Sequence, residues 1–219
     1  MDIVYVLGNG STWNNNEIRF SLRSIEKNLI GIGNVYVVGL KPAFLKNVIH
    51  IPQSDPLPGN ADGNIILKIL RACREKDPSD EFLFINDDHI ILKKTKVEKI
   101  PPYWKLDLKD CPDKYYRYNY WRTRLRLTYE YLLRNNLPTR HHDCHTPIIL
   151  DKHKFPEVFK DVPFHEGVGL TMKSVYANTV FKEAPILNGI KKTVFNHFTY
   201  AEITERLKAT QFLAINDEG

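Results

Sequence analysis

The sequence has little that would carry a protein across or into a membrane. Its 219 residues contain no run of about 18 or more apolar residues, the length that a membrane-spanning helix needs. Met1 to Val4 lead straight into an apolar segment, without the basic start and cleavage site of a signal peptide. Only three cysteines occur and none forms a C-x-x-C pair, so neither a zinc knuckle nor a disulfide framework is indicated. A reducing, cytoplasmic environment is expected.

The overall composition is that of a folded protein that prefers acidic partners. Hydrophobic residues make up 42% and charged residues 26% of the chain, which is typical of a globular domain. The length fits one α/β domain and is short for two. A formal charge of +5 and a pI of about 9.0 favour phosphates, nucleotides, anionic polysaccharide or nucleic acid as partners.

The first half of the chain alternates strand and helix signals. Short apolar runs predict four strands, at 3–7, 35–38, 48–51 and 82–85. Helical spacing of apolar residues predicts helices over 18–29, capped by one of Asn14 to Asn16 and ended by Gly31 and Gly33, and over 65–70. This order indicates a single α/β domain with a mainly parallel sheet.

The second half is less regular. One basic, aromatic helix is predicted over 115–136, and further helices over 167–181 and 201–207. Residues 137–151 are interpreted as a loop that holds three histidines. Loop histidines of this kind are expected to be solvated, and their spacing matches no standard zinc site.

Two polar segments follow predicted strands of this sheet. Gly8 to Ser11 comes after the first strand, and Asn86 to His89 comes after the fourth. In open α/β sheets, ligands bind beyond the carboxyl ends of the strands. The two segments are therefore expected to lie beside one pocket.

Asp87 and Asp88 are candidate metal ligands, and Asn86 is a candidate substrate contact. Carboxylates at the end of an apolar strand suit Mg²⁺ or Mn²⁺, which accept oxygen ligands. Such a cation would neutralise the diphosphate of a nucleotide sugar. The alternative is a polar turn that only ends the strand, because Asn and Asp are common turn residues.

Gly8, Asn9, Gly10 and Ser11 are candidate nucleotide contacts, since small residues let backbone N–H groups approach a ligand. The segment lacks the lysine of a phosphate-binding P-loop and the third glycine of a dinucleotide fingerprint. From spacing alone, an ordinary strand-to-helix turn is the favoured interpretation.

Histidines supply two further candidates. His145 stands just before Pro147, which stiffens the segment, and a held histidine can act as a general base or bind a phosphate. His165 belongs to a second polar cluster, for which a charged surface is an equally good interpretation.

The stretch from 115 to 126 interleaves aromatic residues with arginines, and Arg122 is its candidate substrate contact. Arginines neutralise phosphates, and aromatic rings stack on bases or sugars. A surface helix with solvated arginines explains the pattern slightly better. This stretch is nonetheless where a nucleic-acid acceptor would bind.

Several blocks of the sequence together resemble the conserved blocks of one known family. The specific block is residues 16–27 (NEIRFSLRSIEK), which are similar to ELRYSLRSIEK of the Stealth family of sugar-phosphate transferases. Residues 2–11, 84–88 and the His145-Thr-Pro147 element resemble other family blocks in the same order. Residues 211–217, which end in Asn-Asp, resemble the short final block.

The resemblance implies a GT-A-like α/β fold and a nucleoside-diphosphate-sugar donor, such as a UDP-sugar. It gives active-site roles to Asn9, Asp87, Asp88 and His145. Residues 1–100 would form the nucleotide-sugar-binding half of one catalytic domain, and 101–219 the acceptor-side half. The family carries an arginine near the position of Lys173, so Lys173 is the candidate for offsetting developing charge.

The sequence is compatible with three different functions. The first is transfer of a sugar or a sugar phosphate to a hydroxyl acceptor, in particular a glycan, with Asp88, His145 and Lys173 as the catalytic residues. The second is a glycosyltransferase that acts on hydroxymethylated bases of phage DNA. The third is a non-catalytic module that binds nucleotides or glycans.

Overall fold

The fold is that of a mainly parallel sheet flanked by helices, in a computed structural model that describes residues 1–111, 120–194, 199–208 and 210–215. The main sheet has five strands in the order β4-β3-β1-β5-β8. Their bounds are β1 Asp2–Leu7, β3 Val35–Gly39, β4 Ile49–Ile51, β5 Glu81–Ile85 and β8 Ile148–Asp151.

Helices and short strands surround this sheet. The helices are α1 Asn16–Asn28, α2 Ala61–Arg74, α3 Tyr120–Arg134, α4 Lys154–Phe159, α5 Met172–Val180 and α6 Tyr200–Leu207. The short strands are β2 Leu29–Ile30 and β7 Thr95–Lys96, which pair together, and β6 His89–Ile91, β10 Phe212–Ile215 and β9 Lys191–Val194, which form a small three-stranded sheet. Within the described ranges, no helix combines the length and hydrophobicity that a membrane crossing requires.

Both faces of the main sheet are buried, and this explains its continuous apolar runs. Alternate residues of β1 point to opposite faces. Val4 and Val6 pack with residues of α2, α4 and α5. Ile3, Tyr5 and Leu7 pack with α1 and with residues of the small sheet. The four strands predicted in the first half are confirmed, as is their parallel arrangement.

The direction of β8 brings the residues that precede it to the carboxyl edge of the parallel strands. This strand runs antiparallel to β5. The carboxyl end of β5 therefore lies beside the amino end of β8, and the residues that precede Ile148 meet those that follow Ile85. The predicted loop over 137–151 was wrong in this part, because Ile148 to Asp151 form a strand.

The helices differ from their predictions mainly at their ends. The predicted helix over 65–70 extends from Ala61 to Arg74, and the one over 167–181 is confined to Met172–Val180. Helix α1 ends at Asn28, ahead of the two glycines expected to end it, because the chain enters β2 at once. Residues 115–119 of the predicted basic helix, and Asn216 and Asp217 of the final block, lie outside the described residues.

Two of the three loop histidines are buried, which corrects the expectation that they are solvated. His141 is 1% exposed and His142 is 2% exposed. The Nδ1 atom of His142 lies 3.0 Å from the carbonyl oxygen of Pro102 and 3.1 Å from that of Tyr103. These two acceptors require that Nδ1 carries the ring proton.

The buried histidines predict a loss of stability in mild acid. Burial lowers the pKa of His141 to about 3 and that of His142 to about 4, from 6.5. Between pH 6.5 and these values, the unfolded chain binds protons that the folded chain does not, so acid favours unfolding. Each histidine should reduce the free energy of unfolding by up to about 1.4 kcal/mol per pH unit in that window. Urea titrations at pH 7, 6 and 5 measure this slope.

His142→Leu should make that slope shallower by one histidine's share. His153→Gln is the matched control, because the His153 side chain is 73% exposed, and its removal should leave the slope unchanged. Equal slopes for wild type and His142→Leu would contradict the assignment.

Candidate active site

A large cavity lies at the carboxyl edge of the main sheet. Its volume is about 690 Å³, within the range of small-molecule sites. Gly8, Asn9, Gly10 and Ser11 line it, and so do Asn86, Asp87 and Asp88. The two segments predicted to share a pocket therefore do so. The physical reason is the parallel pairing of β1 with β5, whose ends lie side by side.

Hydrogen bonds fix the loop that follows β1. Ser11 Oγ donates to both carboxylate oxygens of Glu17, at 2.9 Å each, and accepts from the backbone N–H of Asn15 at 2.8 Å. Asn15 occupies the cap position of α1, but its side chain makes no capping bond. Glu17 lines the cavity and is 3% exposed. The sequence reasoning missed Glu17, although a carboxylate in the first turn of a helix is a recognisable signal.

A buried ion pair forms another part of the wall. Lys68 is 3% exposed and pairs with Asp55. A Cβ atom at Gly8 would lie only 2.9 Å from Asp55 Oδ2, so a larger residue at this position would have to displace the Asp55 carboxylate. Neither Lys68 nor Asp55 was among the predicted site residues, because a lysine within an apolar helical pattern is more often a surface residue.

The start of α2 forms the adjoining part of the wall. Gly59, Asn60 and Ala61 line the cavity. Asn60 caps the helix by accepting the N–H of Gly63 at 2.7 Å. The amino end of a helix carries partial positive charge, so this wall favours an anionic group.

Asp88 connects β5 with the chain that precedes β8. The Nδ1 atom of His145 lies 3.2 Å from Asp88 Oδ2. Burial opposes ionisation of Asp88, but His89, His145 and Lys173 together lower its pKa to about 2. Asp88 is therefore a carboxylate at neutral pH. His145 adopts a left-handed backbone with φ of 51°, which a residue other than glycine rarely adopts without support from its surroundings.

His89 is the site residue that the sequence reasoning used least. It is the first residue of β6 and is 1% exposed. Its position is fixed because Ser21 of α1 donates to its carbonyl oxygen at 2.5 Å. Its Nε2 atom lies 3.5 Å from Asp88 Oδ1, without forming a hydrogen bond. Burial lowers the pKa of His89 well below its ordinary value, so the ring is neutral.

Four buried polar atoms here have no hydrogen-bond partner in the described part of the chain. They are both ring nitrogens of His89, Asp88 Oδ1 and Asn86 Oδ1. Leaving a buried polar atom unsatisfied costs about 1–3 kcal/mol, so a cluster of such atoms calls for a partner such as a bound ion, ligand or water. Ligand atoms of Asp88, His89 and His145 all lie within 4.8 Å of one another. This spacing suits one metal ion, and Asp87 is not a member of the group.

A smaller cavity of about 390 Å³ adjoins the larger one. The two share five lining residues, namely Ala61, Ile65, Asn86, Trp121 and Arg124. His145, Asp143 and Lys173 line the smaller cavity. Lys173 is 3% exposed and donates through Nζ to the carbonyl oxygen of Thr146 at 2.8 Å. Burial lowers the pKa of Lys173, although Asp143 and Asp88 oppose this effect.

A salt bridge in the wall of both cavities joins the two halves of the chain. Arg124 Nη1 donates to Asp62 Oδ2 at 2.8 Å, and Arg124 Nε donates to the carbonyl oxygen of Val168 at 2.8 Å. Asp62 Oδ1 accepts the N–H of Met172 at 3.0 Å. Burial and the charge of Asp143 raise the pKa of Asp62 to about 6, against the effect of Arg124.

Two predicted substrate contacts lie outside both cavities. Arg122 is half-buried on α3, and residues two apart on a helix point about 200° away from each other, so Arg124 lines the cavities instead. His165 is exposed, and its ring packs edge-on against Phe164 with centroids 5.6 Å apart.

Comparisons with known proteins add no relative to this description. No family model matches the chain, and no curated protein matches its sequence.

Proposed function

We propose that this protein is a metal-assisted transferase that uses a nucleoside-diphosphate sugar as donor. The observation that carries the proposal is the group of Asp88, His89 and His145, with its unsatisfied buried atoms, next to a cavity also lined by Gly8 to Ser11. The mainly parallel sheet is compatible with a GT-A-like fold. The resemblance to the Stealth family rests on the sequence blocks alone.

The residues of this group fit a metal ion, and they favour Mn²⁺ over Mg²⁺. Mg²⁺ prefers oxygen ligands throughout, whereas imidazole nitrogens are ligands for transition metals. A set of two imidazoles and one carboxylate is therefore less unfavourable for Mn²⁺ than for Mg²⁺. When bound, such an ion would neutralise the diphosphate of the donor and stabilise the leaving group. Asp88 supplies an ionised carboxylate, and burial keeps His89 in the neutral form that binds metals.

The larger cavity offers suitable contacts for a nucleotide sugar. The amino end of α2 favours the diphosphate. Asn9, Gly10 and Ser11 line the cavity, and small residues there allow backbone N–H groups to approach a ligand. The exposed ring of Tyr120, which also lines the cavity, is available to stack on a base or a sugar. Asp87 lines the same cavity, and a carboxylate is a good acceptor of hydrogen bonds from hydroxyl groups.

Two forms of the reaction are compatible with these residues. In glycosyl transfer, the acceptor oxygen bonds to the anomeric carbon, the bond from that carbon to the diphosphate breaks, and UDP and the hydroxyl proton leave. In sugar-phosphate transfer, the acceptor oxygen bonds to the sugar-linked phosphorus, the P–O–P bridge breaks, and UMP and the proton leave. Lys173 would act indirectly, because its positive charge keeps nearby carboxylates ionised.

The charges around α3 favour a glycan acceptor over DNA. Arg124 is occupied by Asp62 and Val168. An arginine already paired with a buried carboxylate has less to offer to phosphates, on which binding to DNA depends.

Manganese binding tests the metal group directly. Wild-type protein should bind Mn²⁺, measured by electron paramagnetic resonance or calorimetry at neutral pH. Asp88→Asn and His89→Gln each remove one ligand and should weaken binding by more than the roughly 10–100-fold that is typical for losing a residue that only supports a ligand. Asp87→Asn should have a smaller effect. Asp80→Asn is the charge-matched control, because the Asp80 side chain is 84% exposed. Thermal melting curves establish that each variant is folded, and unchanged Mn²⁺ affinity in folded Asp88→Asn would refute the group.

Nucleotide release from a panel of UDP-sugars tests the activity. Wild-type protein with Mn²⁺ should release UDP in glycosyl transfer or UMP in sugar-phosphate transfer. Asp88→Ala should abolish release without unfolding the protein, because the ion that stabilises the leaving group is lost. Full turnover by that variant would defeat the mechanism. Release of neither nucleotide by wild type, with any sugar, would favour a non-catalytic binding module.

A further inference from the structure

The smaller cavity adjoins the larger one beside the Asp88–His145 contact. Asp88 lines only the larger cavity, and His145 lines only the smaller cavity. The 3.2 Å contact between their side chains therefore stands where the two spaces meet. A molecule in the smaller cavity would meet the candidate metal group at His145, whereas a donor in the larger cavity would meet it at Asp88.

The fixed charges of the smaller cavity balance. Its wall carries two cations, Arg124 and Lys173, and two carboxylates, Asp62 and Asp143. Both cations are directed at protein groups, Arg124 at Asp62 and Lys173 at the Thr146 carbonyl oxygen. The cavity therefore has no surplus positive charge. A phosphate or a sulfate bound there would lose its hydration without gaining an unpaired cation as a partner.

Asp143 provides the polar contact that a neutral ligand needs. It lines the smaller cavity together with His145 and Lys173. Its backbone N–H donates to His141 Nδ1 at 3.3 Å. Its carboxylate accepts no hydrogen bond from the part of the chain that the structure describes. An ionised carboxylate is an acceptor only, and it binds hydroxyl groups strongly.

Trp121 completes the wall beside these polar groups. Its side chain is half-buried and lines both cavities. An aromatic ring next to a carboxylate suits a sugar, which has apolar C–H faces and hydroxyl edges. A volume of about 390 Å³ lies at the lower end of the range for small-molecule sites, and so limits the ligand to a short segment of a glycan.

We propose that the smaller cavity is the acceptor site and that it binds an uncharged sugar, whose hydroxyl groups bond to the Asp143 carboxylate. Asp143 is thus a substrate-binding residue that selects neutral acceptors. This inference rests on the proposed transferase function, because it assigns the larger cavity to the donor.

Binding without turnover tests the assignment. Methyl glucoside, methyl galactoside and methyl N-acetylglucosaminide serve as neutral probes, glucose 6-phosphate and glucuronate as charged probes, and UDP with Mn²⁺ as the donor-side probe. Ligand-observed NMR should detect at least one neutral glycoside on wild type. Asp143→Asn should weaken that binding roughly tenfold or more, because a hydrogen bond to a charged group is lost, and should leave UDP affinity unchanged. Asp80→Asn should change neither.

A competition experiment on wild-type protein keeps the proposal testable if Asp143→Asn does not fold. UDP with Mn²⁺ and the neutral glycoside should bind at the same time, because they occupy different cavities. Mutual exclusion of the two, tighter binding of a charged probe than of every neutral one, or no binding of any neutral glycoside would each overturn the acceptor assignment. If UDP still binds in those cases, the proposed donor site survives. If wild-type protein does not bind UDP with Mn²⁺, the proposed function itself is refuted.

Discussion

The parallel pairing of β1 with β5 is the constraint on which the site depends. The chain passes from β1 through β3 to β4 on one side, and then returns to place β5 on the other side of β1. Their register runs from Asp2 beside Phe82 to Tyr5 beside Ile85, so both strands end at the same edge of the sheet, with β1 two residues longer. Loops diverge there and leave a space between them, as is general where the strand order of an open α/β sheet reverses.

Much of this arrangement could be predicted from the sequence, because strands buried on both faces are continuous apolar runs. The apolar runs at β1, β3, β4 and β5 predicted the sheet. The order of the strands in the sheet then predicted that Gly8 and Asp88 lie beside one cavity. The position of His145 could not be predicted in this way. It depends on β8, a run of only three apolar residues after Pro147, and on the antiparallel direction of that strand, which no local pattern specifies. The three isoleucine and leucine residues after a proline were the only available signal.

Burial of polar side chains was the other part that the sequence could not supply. His89 was assigned only to the polar segment that follows the fourth strand, but it begins β6 and is covered by α1. Glu17 and Lys68 occupy positions where charged residues are normally solvated, and both are 3% exposed. Such residues are stabilised by contacts between distant segments, such as Lys68 with Asp55. The spacing of hydrophobic residues carries no information on these contacts.

The central place of β1 has a consequence for how the chain folds. This strand precedes both of its neighbours, yet its apolar side chains are fully covered only when β3 and β5 have paired with it. Contacts between such distant segments form slowly, since loop closure must come before they can stabilise the structure. During synthesis on the ribosome, one edge of β1 therefore stays unpaired until β5 has been synthesised. That interval is when the nascent chain is most exposed to aggregation and to capture by chaperones.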